Sequence, residues 1–241
     1  MSPRLASSFL FMGLVLPFQA LLLKPIIGHV ALLLAYLGLS FLLLGLAYCG
    51  VGSKLLGKRD DGRLSWWTLL LFGPYLCLNW MTWRFFVAGS SAPPTGAVAT
   101  NLLFGRRLGV HDAALIHSLN LHGCLDLTSE FTEPAALRNL PRYRCLRLLD
   151  GTAPTVEQLH DAVAWLREAT VAGRVYVHCA LGRGRTGTIV IAFLLATGKI
   201  ESIDEGLKRL QTIHSGVVIN PLQRVALEKF VLERPDATGG M

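Results

Sequence analysis

The chain has 241 residues, 52% of them hydrophobic and only 16% charged, with a formal net charge of +7. A soluble globular domain is nearer a quarter charged, and these figures exclude a disordered chain, a collagen-like repeat and a small disulfide scaffold. The charge is unevenly spread: residues 1–88 hold seven Lys/Arg and two Asp/Glu, residues 89–241 sixteen and fourteen. Most of the positive excess therefore flanks hydrophobic segments, where basic residues meet anionic headgroups, and no nucleic-acid partner is expected.

Three apolar stretches come first. Leu5–Leu23 and Ile26–Val51 carry no Lys, Arg, Asp or Glu, and Trp66–Val87 carries only Arg84. Each is long enough to cross about 30 Å of hydrocarbon as a helix. Lys24-Pro25 is read as a tight turn between the first two, and the loop 52–65 carries Lys54, Lys58, Arg59 and Arg63. Trp66, Trp67, Trp80 and Trp83 lie toward the two ends of the third stretch, as interfacial aromatics do. No small-x-small cleavage site follows the first run, which argues against a cleaved signal peptide. No chain of intramembrane carboxylates suggests a transporter. Pro74 and Asn79 read as a kink and a helix–helix hydrogen bond. Residues 1–88 are expected to be an all-α, multi-pass membrane region with two or three transmembrane helices and the lipid bilayer as partner. The positive-inside count weakly favours a cytoplasmic loop 52–65, which would export the C-terminal half. A reactive thiol there favours the opposite, cytoplasmic placement, which is preferred.

Residues 89–100, rich in small residues with Pro93-Pro94, read as a linker. Residues 101–235 alternate strand-like and helix-like runs, the pattern of an α/β domain with a central sheet flanked by helices, and 236–241 form a tail. Strands are expected at 101–107, 122–127, 143–149 and 175–178. A short helix is expected at 111–119. A capping box of Thr155 and Gln158 opens a second, running to about Ala172. Residues 186–197 form a buried helix closed by Gly198. Ser202 and Glu205 make another capping box, and Pro221 starts the last helix.

The chemistry concentrates in VYVHCALGRGRTG, residues 175–187. Cys179 follows a strand, five residues intervene, and Arg185 opens a helix. Gly182 and Gly184 allow a tight loop whose backbone N–H groups point inward as an anion nest, and the helix N-terminus at Thr186 adds partial positive charge. The planar fork of Arg185 suits two phosphate oxygens at once. Such a field favours the thiolate of a cysteine placed within it. The site is built to hold a tetrahedral dianion against sulfur.

HCALGRGRTG resembles the signature loop of the protein tyrosine phosphatase superfamily, Cys-x5-Arg followed by Ser or Thr, and its context resembles the dual-specificity branch. The resemblance covers roughly residues 100–235. It implies that Cys179 is the nucleophile of a phosphocysteine mechanism and that Arg185 binds phosphate together with Ala180, Leu181, Gly182, Arg183 and Gly184. Thr186 would hydrogen-bond the thiolate, and His178 would tune it through the loop. A general acid is also needed. Asp150, on a Gly-containing loop just after a strand, fits the family's acid position, with Asp126 and Asp161 as alternatives. The other cysteines, Cys49, Cys77, Cys124 and Cys145, read as ordinary apolar residues.

The seven histidines show no metal-ligand spacing, and no metal or cofactor is expected. Gln223 is read as a solvated helix position, although some relatives use a glutamine to place water. Arg183 adds a second cation of the kind found in relatives that act on phospholipids. Ala180, however, stands where those often have Lys, so a phosphorylated protein and a phospholipid both remain as substrates. The competing readings are a non-catalytic phosphate-binding scaffold of the same fold and a rhodanese-like sulfurtransferase. Cys179, Arg185, Thr186 and Asp150 together argue against both.

Overall fold

The computed structural model describes residues 3–233, which divide into two units. The expected domain end at 235 and the tail 236–241 lie outside the described residues.

The first unit comprises residues up to 59, 63–89 and 129–132. Helix α1 (Pro3–Ile27) and helix α2 (Ala31–Leu46) are joined by a 3-10 turn, Gly28–Val30. They pack antiparallel. A Cβ added at Gly13, Gly38 or Gly45 would fall 2.6, 2.4 or 2.7 Å from Leu42, Pro17 or Leu10, three pairs symmetric about Ile27-Gly28. The reversal therefore falls at Gly28, not at Lys24-Pro25. The backbone there needs a φ of +57°, which glycine adopts without cost, whereas Pro25 keeps a helical φ and stays inside α1. Among the described residues, 3–51 are the one helical stretch long and apolar enough to cross a membrane.

Helix α3 (Trp66–Ala88) contains Pro74, which lacks the N–H that would bond the Leu70 carbonyl. The Tyr36 hydroxyl donates to Leu70 O instead, and Ser40 Oγ donates to Leu71 O at 2.9 Å. Interhelical hydrogen bonds thus form around Pro74, but Asn79 Nδ2, expected to make one, does not. Burial in the hairpin is inverted relative to a soluble bundle. Ala6, Gly13, Ala20, Ala31, Gly38, Ser40 and Gly45 are inside, while Phe11, Leu14, Phe18, Leu21, Leu32 and Leu33 face outward.

The second unit comprises residues 60–62, 90–128 and 133 onward. Its five-stranded sheet uses β1 (Thr95–Ala99), β2 (Leu102–Arg106), β3 (Leu121–Thr128), β4 (Arg142–Leu148) and β5 (Arg174–Cys179), in the order β1-β2-β5-β3-β4. All neighbours are parallel except β1, which pairs antiparallel with β2. The segment read as a linker is therefore partly strand. Its small residues carry no strand signal of their own, and pairing with β2 plus burial of Val98 makes them one.

Alternation along β5 sends Val175, Val177 and Cys179 to one face and Tyr176 to the other. The first face is covered by α6 (Val156–Ala172), α7 (Gly184–Ala196) and α9 (Pro221–Leu232), with α8 (Ile203–Ile213) alongside. The second packs α4 (Ala113–Ser118) and α5 (Ala135–Arg138). Helix α7 is buried along nearly its whole length and starts at Gly184, two residues before the expected Thr186. The capping boxes of α6 and α9 are complete. That of α8 is half made: Ser202 accepts from Glu205 N, but the Glu205 carboxylate reaches Glu201 N.

Candidate active site

The loop between β5 and α7 and the loop after β4 meet at the C-terminal ends of their strands, where parallel sheets place ligand sites. They line a cleft of about 240 Å³ with Cys179, Ala180, Leu181, Arg183, Gly184 and Arg185 from the first loop. Asp150 and Gly151 come from the second, and Val218, Asn220 and Gln223 from the approach to α9 and its first turn. Cys179 is buried at its floor. Gly182 has a φ of +70°, and a Cβ there would lie 2.5 Å from Gly105 O. The loop is thus pressed onto β2, with Arg107 N donating to Ala180 O at 3.1 Å.

Arg185 is only 1% exposed. Its Nη1 donates to Leu148 O at 2.8 Å and its Nη2 lies 3.0 Å from Asp150 Oδ1. A fixed guanidinium is what bidentate phosphate binding requires. The three carboxylates weighed as acids separate here. Asp126 is buried on the other face and engaged by Thr128 N, Thr128 Oγ1 and the Tyr143 hydroxyl. Asp161 is exposed on α6, 3.6 Å from Arg144. Only Asp150 of the three lines the cleft.

Arg183 is exposed at the cleft mouth, beside Gly216 and His214. Burial foremost, with Arg183 nearby, holds His214 below the ordinary histidine range. Thr186 is fully buried, and its Oγ1 makes no hydrogen bond to Cys179 or to any other group among the described residues. His178, fully buried, sets Nδ1 3.4 Å from Cys179 O and Nε2 3.4 Å from Glu133 Oε1. Cys124, Glu133 and His178 bring potential ligand atoms within 4.8 Å of one another. Among the described residues they form a group that could hold a metal ion, which their scattered positions in the sequence concealed. Beside them Tyr176 stacks on His178 and donates to Arg106 O, its hydroxyl pushed well above its usual pKa by burial and by Cys124.

Two polar residues of the cleft escaped the sequence reading. Gln223, taken for a solvated position, is only 2% exposed. Asn220 was not singled out. Its signal is the Asn-Pro-x-Gln pattern, an N-cap, a proline at N1 and a glutamine at N3, which marks a reciprocal cap.

Residues 119–199 match a family described as a polymorphic toxin system DSP-PTPase phosphatase. The chain is 35% identical over 125 residues to the human phosphatidylglycerophosphatase and protein-tyrosine phosphatase 1, covering 48% of this chain and 62% of that one. It is 30% identical over 79 residues to the phosphatidylglycerophosphate phosphatase PTPMT2 of Arabidopsis thaliana, covering 32% and 34%. It thus spans between one third and under two thirds of the length of these curated relatives. The crystal structure of Tk-PTP in the active form superposes with a TM-score of 0.53 at 23% identity, over 59% of this chain and 99% of that one. PTPMT1 in complex with PI(5)P superposes with 0.52 at 23%, over 58% and 96%. The second unit thus shares the fold of these solved phosphatases, and residues 119–199, which include the Cys179–Arg185 loop, are similar to the dual-specificity phosphatase family.

Proposed function

We propose that the chain is a membrane-anchored, cysteine-dependent phosphomonoesterase whose substrate is a phospholipid headgroup of the phosphatidylglycerophosphate or phosphoinositide kind. The observation that carries the chemistry is the convergence of Cys179, Arg185 and Asp150 in one cleft. Cys179 Sγ attacks phosphorus while Arg185 and the backbone N–H groups of residues 180–184 hold the equatorial oxygens. The leaving oxygen departs with the proton of Asp150, which is thereby ionised. In the second step Asp150 takes a proton from water, the oxygen attacks phosphorus, the S–P bond breaks with sulfur leaving as thiolate, and inorganic phosphate is released. Thr186 Oγ1, buried beside the loop and making no hydrogen bond to Cys179 in the resting site, would have to turn toward that sulfur to serve as its donor. The mechanism needs no metal, is inhibited by vanadate and is lost on oxidation of Cys179.

The lipid reading is supported by relatives named for phosphatidylglycerophosphate and by a neighbour crystallised with PI(5)P. It is also supported by the inverted burial of the hairpin, whose large apolar side chains suit acyl chains. Residues 3–51 cross the bilayer as a hairpin in this reading, and the thiol chemistry favours a cytoplasmic catalytic unit. The test is phosphate release by the full chain in mixed micelles, with Cys179→Ser as blank. Phosphatidylglycerophosphate and phosphoinositides are compared with phosphotyrosine and phosphothreonine peptides. A preference for lipid supports the reading, and a preference for peptide makes the hairpin a locator for a protein phosphatase.

A further inference from the structure

Helix α9 begins with a reciprocal cap. Asn220 N donates to Gln223 Oε1 at 3.0 Å, and Gln223 N donates to Asn220 Oδ1 at 2.9 Å. A backbone N–H can only donate, so both side-chain oxygens must face it and both NH2 groups must point away. Those groups reach the same target. Asn220 Nδ2 donates to Gly151 O at 2.9 Å and Gln223 Nε2 to Thr152 O at 3.0 Å, consecutive carbonyls next to Asp150. The loop is otherwise a turn in which Thr152 N and Oγ1 both donate to Leu149 O, with Gly151 at a φ of +69°. On the other side, a Cβ at Gly184 would meet Gln223 Oε1 at 2.8 Å. The Gln223 amide therefore sits between the acid loop and the phosphate loop.

We propose that Asn220 and Gln223 are positioning residues for proton transfer: their amides clamp the Asp150 loop to the α9 cap and set its height over the phosphate cradle. The inference rests on the phosphatase reading above. Asp150 is exposed and pairs with Arg185, but a bound phosphate competes for that guanidinium, so the reach of its carboxyl to a leaving oxygen then depends on the two carbonyls beyond it. General acids contribute about 10²–10⁴-fold, and a displacement of about 1 Å forfeits much of such a factor.

The experiment uses the full chain in detergent micelles and kcat/KM, which reports the step up to phosphocysteine. Substrates are an alkyl phosphate, which needs its leaving group protonated, and a nitrophenyl phosphate, which scarcely does. Asn220→Ser keeps an N-cap oxygen and removes the amide donor; Gln223→Met removes the second donor at similar size. Each is expected to lower kcat/KM for the alkyl phosphate about tenfold and for the nitrophenyl phosphate less than about twofold. Adding Asn220→Ser to Asp150→Ala should cause no further loss of discrimination. Equal loss on both substrates, or additive effects in the double variant, overturns the clamp even where Asp150→Ala discriminates. If Asp150→Ala itself fails to discriminate, Asp150 is not the acid and the clamp falls with it, while phosphate release no greater than that of Cys179→Ser is what overturns the phosphatase reading.

Discussion

Asp150 Oδ1 lies 3.0 Å from Arg185 Nη2, so the expected acid and the expected phosphate binder are partners. The two sides of the pair are unequal. Arg185 is 1% exposed and held by the Leu148 carbonyl, whereas the Asp150 side chain is 75% exposed. In the proposed mechanism an incoming phosphate, with nearly two negative charges, displaces the single solvated carboxylate, which must take up a proton before it can serve the leaving oxygen as acid. A pair with one exposed partner contributes at most about 1 kcal/mol. Asp150→Asn should therefore bind tungstate about two- to fivefold more tightly while losing activity on alkyl phosphates. Calorimetric titration checks this, and unchanged or weaker binding would rule out the competition.

Gly182 carries the close approach of the phosphate loop to β2. An alanine there meets both the cost of a left-handed backbone, about 1–2 kcal/mol, and a Cβ 2.4 Å from Gly105 C. Gly182→Ala is expected to lower the melting temperature of the second unit by several degrees and to abolish tungstate binding. Retained binding at wild-type affinity would show that the loop accommodates the methyl elsewhere.

His214 links stability to pH. Burial, with the nearby Arg183 charge, lowers its pKa from 6.5, so the folded state prefers the neutral ring. The stabilisation is complete above the unfolded value and is lost as pH falls below it toward the folded one. Wild type should melt progressively earlier as pH falls through this range, and His214→Gln should flatten that slope. Parallel slopes would assign the dependence to other groups.

Asp112 works in the opposite sense. Burial alone would raise its pKa, but hydrogen bonds from Arg106 and from Gly109 N, together with the Arg106 charge, bring it below 3.8. Its contribution is present above that value and is lost as pH falls through the folded pKa. Arg106 pairs in register with Cys179 across β2 and β5, so this ion pair braces the strand under the phosphate loop. Asp112→Asn should cost about 1–3 kcal/mol at neutral pH and remove part of the acid-limb dependence, read by denaturant melts at several pH values.

In the hairpin unit, Tyr36 answers a vacancy left by Pro74. Tyr36→Phe leaves the Leu70 carbonyl without a donor and should cost about 0.5–2 kcal/mol in micelles. Pro74→Ala restores the helical N–H, so Tyr36→Phe should be nearly silent in that background. Equal costs in both backgrounds, measured by unfolding in mixed micelles, would show that packing, not the hydrogen bond, is what Tyr36 supplies.

What the sequence determined by itself is what depends on neighbours along the chain. Cys179 to Arg185 lies within one loop, so its chemistry is readable from spacing; the cap of α6 and the proline that starts α9 are likewise set within a few residues. Only the tertiary structure decided the rest. Thr95–Ala99 became a strand because β2 offered its edge. The hairpin turned at Gly28 because antiparallel packing of two helices required a positive φ where glycine was available. His178 met Glu133, and Asn220 and Gln223 met the Asp150 loop, across dozens of residues. Such contacts leave no local periodicity: they form when sheet order and helix packing bring distant segments within hydrogen-bond reach, where buried polar groups must find partners.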